Sequence, residues 1–416
     1  MVTRMENERL TRVTGDAPMG RLMRENYWLP FTRSEGLKPG AAPQRVRLLG
    51  QDFVAFRAND GRVGLLDEQC PHRRASLTLA RVEDCSLRCI YHGWRMDGTG
   101  AVIEVPSEGA RSAEFAARVK VNRYRTHEGG GLVWAFLGQG TAPAPPPLPF
   151  MSVPPESRWF SRMIVRCNWL QGFEGALDSA HLNWLHRGWP ERQHADHGTT
   201  ASPTYEIEET AYGLRTAAIR KPNTSSTHFR VAEFIAPFYA FSASRQPVIP
   251  TDCSVFISVP IDDEAHMLFF GFWDEAGPLT DISQIFPSHL DPDNLVAEAE
   301  TPENAWGQDR EAMAAGHFSG FTKSVLHEDV GVQMSMSPIV DRSQEHLCGT
   351  DLAIVRMRRY LLNLLKQFEA GEPLDGALRA YAAERNLPFS CTAPVGADWR
   401  REGFRKVAPA QAAAIP

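Results

Sequence analysis

From Arg45 the chain reads R-V-R-L-L-G-Q-D-F-V-A-F-R, then N-D-G-R, then V-G-L-L-D. Apolar and polar residues alternate at period two on both sides of a turn, which predicts paired antiparallel strands between Gln44 and Leu66. The small β domain so begun is expected to run to Gly140, with further turns at Asp97–Gly100 (D-G-T-G) and Gly129–Gly131. Ahead of it, Met19–Pro30 offers Leu22, Tyr27, Trp28 and Leu29 as an apolar face, predicting a helix docked on that domain. Thr141–Pro149, T-A-P-A-P-P-P-L-P, lacks the amide donors that a helix or central strand needs, so it reads as an extended linker.

Beyond the linker the period changes. Trp159–Leu170 predicts a strand, Asn168–His186 a helix, and Tyr205–Trp273 several alternating strands, among them F-R-V-A-E-F-I-A-P-F and V-F-I-S-V-P. Helical patterns return after Ser288, and Asp351–Phe368 carries Leu352, Val355, Leu362 and Leu365 on one broad face. From Thr392 the chain is rich in Ala, Pro and Arg and is expected to be loosely ordered. The organisation expected is α+β: an all-β domain over 1–140, a linker over 141–155, a domain with an antiparallel sheet over 156–390 and a tail over 391–416.

A length of 416 residues implies two or three domains. With 43% apolar and 23% charged residues the chain has the composition of a soluble globular protein. Its formal charge of -6 offers no footprint for nucleic acid. The first ten residues are charged and lack the apolar core of a signal peptide, and no run approaches the roughly 20 apolar residues that span a bilayer. A cytoplasmic location and no membrane partner are expected, so the seven cysteines are candidate ligands or buried thiols rather than disulfides.

Four of the candidate ligands are Cys70, His72, Cys89 and His92, arranged C-x-H, sixteen residues, C-x-x-H. Two thiolates on one iron and two imidazoles on the other is the ligation of a high-potential [2Fe-2S] cluster, in which neutral imidazoles remove negative charge and raise the potential. A Cys2His2 zinc ion is the rival, disfavoured because zinc fingers pair C-x-x-C with H-x-x-x-H. Cys85 fits neither pair.

The second constellation lies in N-W-L-Q-G-F-E-G-A-L-D-S-A-H-L-N-W-L-H, which gathers Glu174, Asp178, His181 and His186. Two imidazoles and one carboxylate from elsewhere would hold ferrous iron on one face and leave the other open. On a regular helix Asp178 and His181 share a face, about 60° apart, whereas His181 and His186 are about 140° apart. A break between the two histidines is therefore predicted, with Gly188 and Pro190 marking the helix end.

Together, C-x-H…C-x-x-H and E-x-x-x-D-x-x-H-x-x-x-x-H resemble the large α subunit of Rieske non-heme iron oxygenases. M-G-R-L-M-R-E-N-Y-W-L-P, V-G-L-L-D-E-Q-C-P-H-R, N-W-L-Q-G-F-E-G, A-I-R-K-P and I-V-D-R-S-Q-E-H-L are similar to the phthalate 4,5-dioxygenase branch. The resemblance implies a Rieske [2Fe-2S] domain followed by a catalytic domain of the helix-grip (START-like) type. It implies mononuclear Fe(II) on His181, His186 and a downstream carboxylate: Asp329 in H-E-D-V-G-V-Q-M-S-M, with Asp309 and Asp341 as competitors. It implies that Asp178 bridges an iron-ligand histidine to a cluster histidine of a neighbouring subunit, hence a head-to-tail homotrimer or a multiple of it. Electrons from NADH would arrive through a separate flavin/iron-sulfur reductase and, with O2, dihydroxylate an aromatic, carboxylated, phthalate-like ring. O- or N-demethylation or diaryl ether cleavage by a monooxygenase is the alternative reaction, and an electron carrier with a non-catalytic second domain the alternative class.

Two departures stand out. Arg74 occupies the position where C-P-H-R-G is common in the family, and Leu182, Asn183 and Trp184 are bulkier than the small polar residues of phthalate enzymes. Arg215, Arg220 and Arg245 are candidates to hold a substrate carboxylate, and Phe173, Phe234, Phe238 and Phe241 to line an aromatic pocket or to pack in the sheet core. Glu174 is left without a ligand role, with support of a subunit contact as its open alternative.

Overall fold

The computed structural model describes residues 2–188, 202–243, 253–279, 290–293, 295–296, 299–374, 376–384 and 386–402. Three small antiparallel sheets build the N-terminal part. Leu29–Arg33, Leu132–Phe136 and Arg125–Gly129 form one, Gln44–Leu48, Gln51–Arg57 and Val63–Asp67 the second, and four short strands between Arg81 and Glu104 the third. Alternation in Gln51–Arg57 has an unusual outcome, because neither face is solvated. Phe53 and Ala55 enter the large core shared with the rest of the protein, while Val54 and Phe56 enter a separate core with Leu66, Leu77, Leu87 and Met96. The strand thereby ties the two halves of the chain together.

Helix α1 (Arg4–Thr11) starts with a reciprocal cap between Thr3 and Glu6, and α2 (Pro18–Asn26) with proline in its first turn. The helix expected over Met19–Pro30 thus stops at Asn26, and Leu29–Arg33 is a strand. The apolar face of α2 joins the core that the β domain shares with the rest of the chain, and its main helical partner comes from late in the sequence. Both α1 and α2 pack on the later helix Leu352–Glu369, with Leu10, Met19, Leu22 and Met23 in the same core as Met357, Leu361, Leu364 and Leu365. Arg9 pairs with Glu369 at 2.6 Å, and Asn7 donates to the Val340 carbonyl. An apolar helix face seeks the largest complementary apolar surface, and here that surface comes from more than 300 residues along the chain.

The C-terminal part is a nine-stranded sheet in the spatial order Thr204–Glu209, Gly213–Arg220, Ser226–Ile235, Tyr239–Ala243, Cys253–Pro260, His266–Trp273, Arg158–Val165, Leu295–Val296. The ninth strand, Phe389–Pro394, pairs with Ser226–Val231, the part of its neighbour that Tyr239–Ala243 does not reach. Residues expected to begin a loose tail therefore complete the sheet, and Trp399 beyond them is buried, donating from Nε1 to Glu206 at 2.8 Å. Residues 403–416 lie outside the described residues. Across Tyr239–Ala243, Cys253–Pro260 and His266–Trp273 lies α3 (Trp169–Leu177), and against α3 packs α4 (Val325–Ser335). Among the described residues no helix is long and apolar enough to cross a membrane.

Candidate active site

The first constellation sits on two loops with one hydrogen-bond pattern. Cys70 N–H donates to the Ala75 carbonyl and Arg74 N–H to that of Cys70; Cys89 N–H donates to the Trp94 carbonyl and Gly93 N–H to that of Cys89. Both loops turn through a left-handed residue at the same place, Arg74 at φ 62° and Gly93 at φ 74°. The equivalence explains why glycine suits position 74. A β-carbon there is opposed by about 1–2 kcal/mol, against about 0.5–1 kcal/mol of glycine entropy. Arg74→Gly is therefore expected to stabilise the loop by about 0.5–1 kcal/mol, read as a higher thermal midpoint; an unchanged or lower midpoint would contradict this.

The loops bury Cys70 and Cys89 and leave His72 and His92 partly exposed, their rings 4.4 Å apart, with His72 stacked on Trp94 at 4.7 Å. Burial pushes the Cys70 thiol up to about 11. A buried thiol in that state needs a metal to become a thiolate ligand. The four side chains do not gather three ligand atoms within 4.8 Å, unlike the set described next among the described residues. That spread suits two irons better than one zinc ion.

In the second constellation each residue of N-W-L-Q-G-F-E-G has a structural task. Asn168 caps α3, accepting from Leu170 N–H while donating to the carbonyls of Thr11 and Asp263. Gln171 donates to the Ser337 carbonyl and accepts from Val340 N–H. A β-carbon on Gly172 would meet His266 at 2.3 Å, and one on Gly175 would meet Gln333 at 2.6 Å, so the glycines let α3 lie close to the sheet and to α4. Glu174 accepts from Arg342 and Arg358 within the same chain, with Arg358 Nε at 2.6 Å, which makes it an internal anchor between α3 and the later segments.

The helix ends earlier than the spacing predicts. Asp178 has left it (φ -81°, ψ 112°), and its carboxylate accepts from the N–H groups of Ala180 and His181. Asp178 and His181 are thus joined by a side-chain cap and not by a shared helical face. His181 and His186 then fall on two successive 3-10 turns, His181–Asn183 and Leu185–Gly188, with rings 5.1 Å apart. Gly188 ends the second turn; Pro190 lies outside the described residues.

Asp329 on α4 meets both rings. Its Oδ1 lies 3.4 Å from His181 Nε2 and 3.2 Å from His186 Nε2, and the three ligand atoms lie within 4.8 Å of one another. Both competitors are occupied elsewhere. Asp309 caps Arg310–Ala314, and Asp341 accepts from Ser343. The outer nitrogens also face carboxylates, with Asp178 Oδ2 3.3 Å from His181 Nδ1 and the buried Glu328 Oε2 2.5 Å from His186 Nδ1. Glu328 was not among the expected site residues; its adjacency to Asp329 in H-E-D is the only sign of it in the sequence.

Burial alone would discharge His181, yet the hydrogen bonds to Asp178 and Asp329 outweigh it and carry its pKa up to about 9. Burial likewise opposes the Asp329 anion, but His186 and His181 hold it well below the carboxylate range. Three carboxylates around two imidazoles make a pocket that favours a cation. The donors, two nitrogens and one oxygen on one side of an open cavity, fit ferrous iron.

The cavity lies between α3, α4 and the sheet. Asp178, His181, His186 and Asp329 line it together with Arg230, Ser242, Ser254 and Ser390 and with the apolar Phe256, Leu268, Phe270 and Leu326; Arg230 also donates to the Ala243 carbonyl at 3.0 Å. The arginine is not one of those anticipated. Arg215 is buried against Glu233 at 2.7 Å, and Arg220 donates to the Ser179 carbonyl at 2.6 Å, steadying the turn beside Asp178. Arg245 lies outside the described residues. Phe173, Phe234, Phe238 and Phe241 are fully buried in the large core and do not line the cavity. Leu182 reaches it, whereas Trp184 is exposed beside Arg187 and Phe318.

Residues 27–124 match the Rieske [2Fe-2S] domain model, and residues 136–415 a model described as LigXa C-terminal domain like. The chain belongs to the Rieske non-heme iron oxygenases, as the oxygenase subunit. Its branch is that of phthalate 4,5-dioxygenase: it is 38% identical to the phthalate 4,5-dioxygenase oxygenase subunit of Pseudomonas putida, over 96% of this chain and 94% of that one. It is 35% identical to the 3-chlorobenzoate-3,4-dioxygenase oxygenase subunit of Comamonas testosteroni, over 90% and 91%. In fold it is similar to the oxygenase of carbazole 1,9a-dioxygenase solved with its ferredoxin, at a TM-score of 0.57 and 18% identity over 86% of this chain and 94% of that one. A [2Fe-2S] cluster, a mononuclear iron and an external electron donor belong to this class.

Proposed function

We propose that Cys70, His72, Cys89 and His92 hold the Rieske cluster, that His181, His186 and Asp329 hold Fe(II), and that the enzyme cis-dihydroxylates a carboxylated, phthalate-like aromatic ring. The observation that carries this reading is one cavity lined both by two imidazoles and a carboxylate whose ligand atoms lie within 4.8 Å of one another and by Arg230. When bound, the iron supplies oxygen activation, driven by electrons taken from the cluster.

The chain's own residues do the rest. Arg230, with Ser242, Ser254 and Ser390 beside it, offers a charge-assisted site for the substrate carboxylate, and Phe256, Leu268 and Phe270 offer apolar contact to the ring. The two relatives named above act on carboxylated aromatics, in keeping with this choice. Asp178 steadies His181, and its side chain keeps 28% of its exposure, enough to meet a histidine from outside. His72 and His92, with exposed Ile90 and Tyr91 on the second loop, are suited to that contact. These features support a head-to-tail homotrimer supplied by a flavin/iron-sulfur reductase that oxidises NADH. Seven free cysteines accord with the reducing cytoplasm.

Turnover of phthalate-type acids under labelled oxygen tests the reaction. Two labelled atoms in a diol support it, while formaldehyde release or a single labelled atom would replace it with demethylation or monooxygenation. Arg230→Met is expected to raise KM for the acid about 10–100-fold, the loss of one charge-assisted bond, with kcat changed only a few-fold. A fall in kcat at constant KM would remove Arg230 from substrate binding.

A further inference from the structure

Adjacent positions on α4 give both nitrogens of His186 a carboxylate: Asp329 Oδ1 stands 3.2 Å from Nε2, and Glu328 Oε2 stands 2.5 Å from Nδ1. Glu328 is fully buried, and its second oxygen is occupied as well, by Ser319 Oγ at 2.5 Å. Phe321 N–H donates to that same Oγ at 3.2 Å, so the serine hydroxyl proton is directed at Glu328. The result is a polarised chain, Phe321 N–H to Ser319 O–H to Glu328, with His186 Nδ1–H donating to the carboxylate from the other side. His181 has a looser arrangement, since its Nδ1 partner Asp178 lies 3.3 Å away and is partly exposed.

We propose that Glu328, held by Ser319, is a positioning residue that locks His186 in the Nδ1–H tautomer and strengthens Nε2 as a metal donor, making His186 the rigid ligand of the site. This rests on the reading of His181, His186 and Asp329 as ligands. A buried carboxylate on the far nitrogen sets ring orientation and raises donor basicity, and a buried glutamate without such a task would be an expensive occupant of this position.

The test uses the full-length protein carrying its Rieske cluster, with Co(II) as the probe of the mononuclear site. The variants are Glu328→Gln, Glu328→Ala, Ser319→Ala and His186→Ala. Cluster absorption reports an intact fold, chelator competition reports Co(II) affinity, and the ligand-field bands report donor geometry. Glu328→Ala should weaken Co(II) about 10–100-fold, with Glu328→Gln between it and the wild type because it keeps an acceptor without the charge, and each should shift the bands. Ser319→Ala should move both readouts in the same direction by a smaller factor, and it decides the matter if Glu328→Ala fails to acquire its cluster. Native affinity and native bands in the glutamate and serine variants, with Co(II) lost from His186→Ala, would overturn the positioning role and leave the ligand reading standing. Native binding in His186→Ala would instead overturn the ligand reading. Loss in Glu328→Ala as complete as in His186→Ala would make Glu328 a ligand, contrary to the proposal.

Discussion

Asp329→Ala is expected to lower bound iron from about three to about two per chain and to abolish oxygenation, with the cluster absorption unaltered. The carboxylate is the single anionic donor within reach of both Nε2 atoms in the described structure, 3.4 Å and 3.2 Å away. Without it two neutral imidazoles, 5.1 Å apart at their centroids, would face an uncompensated dication. Metal affinity should fall by more than about 100-fold, the upper end for residues that only support a ligand. Iron analysis beside turnover measures both consequences. Retention of the third iron would send the search back to another carboxylate, and about two irons in the wild type would restore the electron-carrier reading.

Asp178→Asn should separate loading from electron delivery. Asparagine keeps an oxygen to accept from the N–H of Ala180 or His181, so the turn after α3 should survive. What it loses is the negative charge that raises His181 against its burial and, in the proposed head-to-tail assembly, one of the two acceptors for a histidine from a neighbouring subunit. Both metals should load normally, while reoxidation of the reduced cluster in the presence of substrate and O2 should slow by about 10²-fold or more, followed as cluster absorbance in a single turnover. Reoxidation at the wild-type rate would remove Asp178 from the path between subunits.

How far the chain could be read depended on distance along it. C-x-H and C-x-x-H were recognisable because each pair lies within one short loop, and the structure adds only that the loops are equivalent down to their left-handed residue. The clustering of Asp178, His181 and His186 was equally visible, and the two histidines do fall on separate turns, but helical arithmetic missed that the helix already ends at Asp178. An aspartate that can cap the next turn ends the helix before His181, a competition between side chain and backbone that hydrophobic period does not register.

Other features had no local sign. Nothing near Met19 or Leu22 reveals that they pack on Leu361 and Leu364, and nothing near Phe389 reveals that it closes a sheet with Val231. Phe173 and Phe234 look the same in sequence as Phe256 and Phe270, yet the first pair fills the core and the second lines the cavity. Among the arginines, Arg215 and Arg220 were drawn inward by Glu233 and Ser179, whereas Arg230, which donates to the Ala243 carbonyl, lines the cavity.

By itself, then, the sequence pointed to the family and to the ligand types of two metal sites, since ligand type and loop spacing are properties of short covalent segments. Only the tertiary structure decided which carboxylate joins His181 and His186, why Glu328 stands behind one of them, and which arginine meets the cavity. Those outcomes depend on burial against partners more than a hundred residues away, where many weak contacts and a few buried charges must be satisfied together.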